Sequence, residues 1–377
     1  MKNILKTAFL PAFFWSFTGI CFCSDVYTLE YSGNRNTLFH NGKVLTFADC
    51  VEKQLSRYPD ASAKSMAKFA YHAAFGSGKT PFDRKKFSDE FASVQAKNMP
   101  LFEIISPDYC RINLAAWKYH KLPEEWLARI CEASAESFPD SGTLYSGYLQ
   151  IIAGKMPGFA AELQKSSAEI PEHAPGYQTV SYRVVSTRFL QVIPVLRRLA
   201  VFPENTTCII AIDGRAASGK TTFSRQLAYI TGAGVIHMDD FFLPVDMRTA
   251  ERLNQPGGNV HYERFKKEVI PHLKCADAFS YQRFDCSKMS PGDMRNVSAS
   301  RWRIVEGAYC FHPVFGNYAD LKIFFDIAPE TQLKRIRRRN GERAAQMFTS
   351  RWIPLEEKYI KAYGIKAQAD VIIGGHD

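Results

Sequence analysis

The C-terminal half of this 377-residue chain predicts an α/β fold on a parallel, doubly wound sheet, preceded by a mainly α-helical region. Three observations carry that expectation. Short apolar stretches at 207–213, 235–238, 303–305, 321–326 and 370–373 alternate with helix-length segments, and strands buried on both faces of a parallel sheet read as such continuous runs. The first run passes straight into Gly214-x-x-x-x-Gly219-Lys220-Thr221, a glycine-rich turn that opens a helix. Before residue 200 the period is helical, with Met66, Phe69, Ala70 and Ala73 falling on one face.

Taken in order, residues 1–24 combine a charged start, Lys2 and Lys6, with an uncharged apolar run from Thr7 to Cys23, the pattern of a secretory signal and slightly short for a membrane span. The readings are an apolar segment packed on the first domain, a wrongly chosen start, a membrane anchor, or export. Residues 25–200 are expected to form the helical domain, with helices near 61–75, 82–96, 124–135 and 141–153 and a helix-capable segment over 182–199, after the breaker-rich 170–177. Gly76-Ser77-Gly78-Lys79-Thr80 imitates a phosphate loop, but Ala73 stands where the first glycine belongs and a helix precedes it, so these glycines are read as a helix cap. Residues 201–377 form the second domain, and each part is long enough to bury a core.

Composition narrows the function classes. The net charge is +10, but the basic residues are dispersed and the one dense run, 334–339, has another use below, so nucleic acid is not expected as a partner. The nine cysteines have no Cys-x-x-Cys pair and no zinc spacing, and read as reduced thiols. His40, His72, His120 and His173 likewise have no ligand spacing.

The glycine-rich turn has the Walker A pattern in its proper context: a β-branched strand before it and a helix from Lys220 after it. Backbone amides of Gly214, Ala216, Ala217, Ser218, Gly219, Lys220, Thr221 and Thr222 would converge with the Lys220 ammonium on a polyphosphate, and the Thr221 hydroxyl would reach Mg2+. Phosphoryl transfer needs such clamps, a metal, an acid to orient or deprotonate an acceptor hydroxyl, and cations over the transferred group. Asp239 and Asp240 end the next strand, and Glu306, followed by Gly307, ends another beside the metal. Arg335, Arg337, Arg338, Arg339 and Arg343 crowd a helix and a Gly341-containing turn, which reads as a lid over the nucleotide.

In this order, the loop, then Asp239-Asp240-Phe241-Phe242, then Glu306-Gly307, the arginine-rich lid and Ala369-Asp370-Val371-Ile372-Ile373 resemble the uridine kinase-like branch of P-loop small-molecule kinases, over about 205–375. The resemblance implies ATP and Mg2+, with Asp239 as general base and metal-shell ligand, Thr221 and Glu306 with the metal, and Lys220 and Arg338 on the transferred group. It puts the acceptor pocket at Asp240, Phe242, His261, Arg264 and Phe284. Where nucleoside-phosphorylating relatives carry an aspartate, this chain presents Gly257-Gly258-Asn259-Val260-His261-Tyr262, so either His261 takes that position or the loop is rebuilt. The base-recognising stretch is matched only loosely by 281–285. Arg264 and Arg283 would meet an anionic acceptor or form surface ion pairs. Cys110 to Leu114 and Tyr182 to Val185 are similar to the region that precedes the kinase domain in some bacterial relatives.

The expectation is an ATP- and Mg2+-dependent kinase acting on a small-molecule hydroxyl, nucleoside-like first, with a sugar or hydroxy acid as the alternative acceptor. From another class stands an ATP-binding regulatory protein that transfers nothing. ATP chemistry and unpaired cysteines point to the cytoplasm, or to membrane attachment if residues 1–24 are an anchor. Oligomeric state has no signal in the chain.

Overall fold

The computed structural model describes residues 21–22, 25–32, 35–40, 42–77, 81–135, 142–165 and 181–374, with side chains from Thr37 on. Residues 1–20, 78–80 and 170–177, with His173, lie outside that set. No helix among the described residues is long and apolar enough to cross a membrane.

The first part is helical, with more strand than its sequence period suggests. Strands β1 (Cys21–Phe22), β2 (Asp25–Ser32), β3 (Arg35–His40) and β4 (Lys43–Val44) form an antiparallel sheet. The helix Phe47–Arg57 follows, opened by a reciprocal cap between Thr46 and Asp49 that satisfies two otherwise orphaned amides. Helices Ala63–Phe75, Arg84–Ser93, Glu124–Ala135 and Gly142–Lys155 fall where the period put them. Gly76 ends the first of these with φ 62°, in the left-handed region that favours glycine at helix ends.

The segment 182–199 departs from expectation. Its start, Tyr182–Ser186, is a strand (β7), a 3-10 helix follows over Thr187–Val192, and an α-helix begins only at Ile193. Strand β7 pairs antiparallel with β6 (Tyr109–Asn113), which also pairs with β5 (Phe102–Ile104). Val184 and Val185 sit opposite Arg111 and Cys110, so a partner strand overrides a helix-compatible pattern for these β-branched residues.

From Cys208 the chain builds one parallel sheet from β8 (Cys208–Gly214), β9 (Gly234–His237), β12 (Trp302–Glu306), β13 (Leu321–Phe325) and β14 (Val371–Ile373). An antiparallel hairpin, β10 (Phe279–Asp285) and β11 (Ser290–Val297), is inserted between β9 and β12. Spatial order is β14-β13-β8-β12-β9, so the chain winds one way from central β8 and then the other, as the α/β reading expects. Such sheets bind ligands at the carboxyl ends of their strands.

Successive residues of β8 point to opposite faces and into different cores. Ile210 and Ile212 join an apolar cluster with Trp117, Leu127, Ile130 and Leu196 of the first part. Ile209 and Ala211 join Phe241, Phe265, Phe324 and Tyr359 on the other side. One layer on the sheet is therefore supplied by residues before 200. Within it Trp126 and Trp302 lie edge to face at 6.0 Å, and Arg129 donates to the Tyr229 carbonyl at 2.9 Å. The helix Lys220–Thr231, which starts at the glycine-rich turn, is thus held from outside.

Candidate functional site

The penultimate residue of β8 is Asp213, a buried acid inside an apolar run. Its Oδ1 accepts from the amides of Gly214 (2.7 Å) and Tyr309 (3.2 Å), and its Oδ2 from the Phe311 amide (2.9 Å) and the Tyr359 hydroxyl (2.9 Å). This one carboxylate ties the turn to the segment after β12 and to the helix Ile353–Tyr363. Burial raises its pKa, against the pull of those donors and of Lys220.

The turn then takes a path few residues allow. Gly214 has φ 136°, and a Cβ there would fall 2.1 Å from the Phe325 carbonyl oxygen, a contact only glycine avoids. Ala217 (φ 58°) and Gly219 (φ 110°) are also left-handed, and the helix begins at Lys220 with no side-chain cap. Uncapped first-turn amides of a helix are a ready anion-binding group. Ser218 Oγ is buried without a partner among the described residues. Lys220 is 8% exposed, and its ammonium curls back to donate to the carbonyls of Gly214 (2.7 Å) and Arg215 (2.8 Å).

This is a P-loop domain. The loop leaves the central strand of a parallel sheet and runs into a helix N-terminus, the arrangement that places amide dipoles and a lysine on phosphate. No family model matches the chain, and no curated protein does. Among solved structures it is similar to a candidate uridine kinase from Bacillus stearothermophilus, at 20% identity over 49% of this chain and 99% of that one, TM-score 0.39. It is also similar to a candidate fructose transport system kinase from Silicibacter sp. TM1040, at 22% identity over 50% and 99%, TM-score 0.40. The P-loop assignment stands on the loop and sheet order themselves.

Around the P-loop the strand ends gather acids. Thr221 Oγ1 lies 3.4 and 3.5 Å from the two oxygens of Glu306, which is buried. Glu306 also bonds His237 Nδ1 at 2.6 Å, and that bond raises the His237 pKa. Gly307 turns the chain at φ 132°, where a Cβ would meet that of Met238 at 2.9 Å and approach Asp239 Oδ1 at 3.6 Å. Asp239 is exposed, yet protein surrounds it closely enough that lost hydration, and then Glu306, raise its pKa. Oxygen ligands from a hydroxyl and carboxylates suit Mg2+, which keeps several waters and uses few protein ligands. No cluster of three or more His, Cys, Asp or Glu is arranged as a metal site among the described residues.

The helix Pro329–Asn340 docks on the loop. Gln332 Nε2 donates to the Ala216 carbonyl (3.1 Å), and Arg335 Nη1 to those of Ala217 (3.3 Å) and Ser218 (3.5 Å). Arg338 is exposed one turn farther along the same side. Gly341 ends the helix at φ 82° and Arg337 pairs with Glu342 at 3.0 Å.

Acceptor-side residues are more engaged with one another. Asp240 is buried, accepting from the Tyr281 hydroxyl (2.8 Å) and facing Arg295 Nε (3.5 Å). Arg264 makes a two-pronged pair with Glu268 (2.8 Å each) and donates to the Gln282 carbonyl, so it fastens the helix Tyr262–Glu268 to the hairpin. His261 caps that helix, its Nδ1 3.4 Å from the Arg264 amide and 3.1 Å from Glu263. Arg283 pairs with Asp285 at 3.3 Å. Phe284 is buried in the hairpin, and Phe242 bridges to Val260 with its ring 6.3 Å from Trp352. Thr222 is exposed in the first helical turn.

Several contributors escaped the sequence reading. Arg215 pairs with Asp326 and with both oxygens of Glu357 (2.6 and 3.1 Å). Glu356, buried, accepts from the Ala216 amide at 2.9 Å, and burial raises its pKa to about 7. Asp213 had a signal, a lone acid in an apolar strand; the adjacent acids of an ordinary amphipathic helix had none.

Proposed function

We propose that the chain is an ATP- and Mg2+-dependent kinase that transfers the γ-phosphoryl group to a hydroxyl of a small, nucleoside-like metabolite. The observation that carries this reading is the convergence, at the ends of β8, β9 and β12, of Lys220, Thr221 with Glu306, and Asp239. A sensor would need the loop and the metal; an acid at the next strand tip adds what an acceptor hydroxyl requires. Bound ATP with Mg2+ would supply the phosphoryl group. Lys220 and the loop amides would hold its phosphates, and Thr221 and Glu306 would hold the metal or its waters. Asp239, whose pKa is raised by lost hydration and Glu306, would take the acceptor proton, and the arginines of the helix Pro329–Asn340 would cover the developing charge. With Arg264 engaged by Glu268 and Arg283 by Asp285, an uncharged acceptor is favoured over an anionic one.

The test is ADP formation by Lys220→Ala and Asp239→Asn variants with parent-like circular dichroism and melting. Losses of about a thousandfold or more are expected, the scale of removing a preorganised transition-state group. Parent-like turnover in either variant would overturn the reading.

A further inference from the structure

Three positions at the start of the P-loop, Asp213, Arg215 and Ala216, are gripped by one helix. Ile353–Tyr363 supplies the Tyr359 hydroxyl to Asp213, Glu357 to Arg215, and Glu356 to the Ala216 amide. Two of these contacts merely brace the loop. The third is different in kind, because it sets a carboxylate on a backbone N–H of an anion-binding turn. Lys220 Nζ lies on the carbonyls of Gly214 and Arg215, so Ala216 stands at the lysine end of the loop. That is the end a terminal phosphate reaches.

We propose that Glu356 is a latch on the P-loop: its carboxylate holds, on the Ala216 amide, the place of a terminal phosphate oxygen, and a nucleoside triphosphate binds by displacing it. The inference rests on the nucleotide reading above and adds a regulation of that site. A carboxylate and a phosphate cannot share one amide donor, and both are negative, so the latched state competes with the triphosphate. Apparent affinity then falls by the fraction of molecules that are unlatched. The helix has a place to yield. Phe348–Trp352, just before it, is π-helical, a wide turn that often marks functional sites within helices. A diphosphate leaves the lysine end emptier and competes less.

Isothermal titration of the full chain with ATP and with ADP, at fixed Mg2+, tests this on Glu356→Gln and Glu356→Ala. The first keeps shape and removes charge; the second removes the contact altogether, and either alone suffices if the other fails to fold. Loss of a charged partner from the amide predicts ATP binding about tenfold tighter, with ADP affinity changed much less. A purely bracing role would weaken both nucleotides together, and that result, or unchanged ATP affinity, overturns the latch while leaving the nucleotide site intact. Absence of ATP binding by the parent and both variants overturns the nucleotide reading and the latch with it.

Discussion

The two halves of the molecule gather charge of opposite sign. Around Lys220 lie the acids Asp213, Asp239, Glu306 and Glu356; around Arg111 lie the bases Lys68 and His72, with Glu103 at 3.6 Å as a carboxylate partner. The difference lies in how each charge is accommodated. Arg111 sits over the rings of Phe69 (5.1 Å) and Tyr182 (4.7 Å), which favour a cation, while His72 is driven neutral. That is the chemistry of a core. The acids of the C-terminal half instead face a turn built to attract anions, and such an excess suits a polyphosphate that arrives with a divalent cation.

The comparison breaks most easily at Asp213. Asp213→Asn puts an amide nitrogen where two donors already point, whichever way it turns, and should cost about 3 kcal/mol. Urea unfolding measures this, and an unchanged midpoint would mean that the acid does not pin the loop. A smaller effect per pH unit is expected at His72, whose pKa burial, Arg111 and Lys68 lower to about 3 from 6.5. Between those values the unfolded chain binds a proton that the folded chain refuses. Stability therefore falls as pH drops through this window, by at most about 1.4 kcal/mol per pH unit. His72→Phe should flatten the acid limb of the stability–pH curve by that amount; identical limbs would refute a buried neutral histidine. The smallest effect belongs to Arg264→Gln, about 1 kcal/mol for a partly exposed pair. The acceptor KM should stay unchanged, whereas a large rise in KM would return Arg264 to the substrate.

How much of this was legible depends on whether a residue acts through local or distant neighbours. Gly214, Gly219, Lys220 and Thr221 are readable because a phosphate turn needs them at fixed spacing along one stretch of chain. The five parallel strands are readable because burial on both faces leaves continuous apolar runs. The helices Ala63–Phe75 and Glu124–Ala135 show their period, but β7 does not, since Val184 and Val185 are strand only through β6. Glu356 and Glu357 meet the loop across 140 and 142 residues, a distance no local pattern encodes. The acceptor side, where Asp240, Tyr281 and Arg295 come from three separate elements, is obscure for the same reason.

The central claim is transfer, and it is tested most directly by following the labelled γ-phosphoryl group of ATP, with Mg2+, across a panel of nucleosides, sugars and hydroxy acids. The account predicts label on the hydroxyl of at least one uncharged member, with one ADP formed per labelled product. ATP bound tightly with no member of the panel labelled would contradict it and leave a nucleotide-binding regulator in its place.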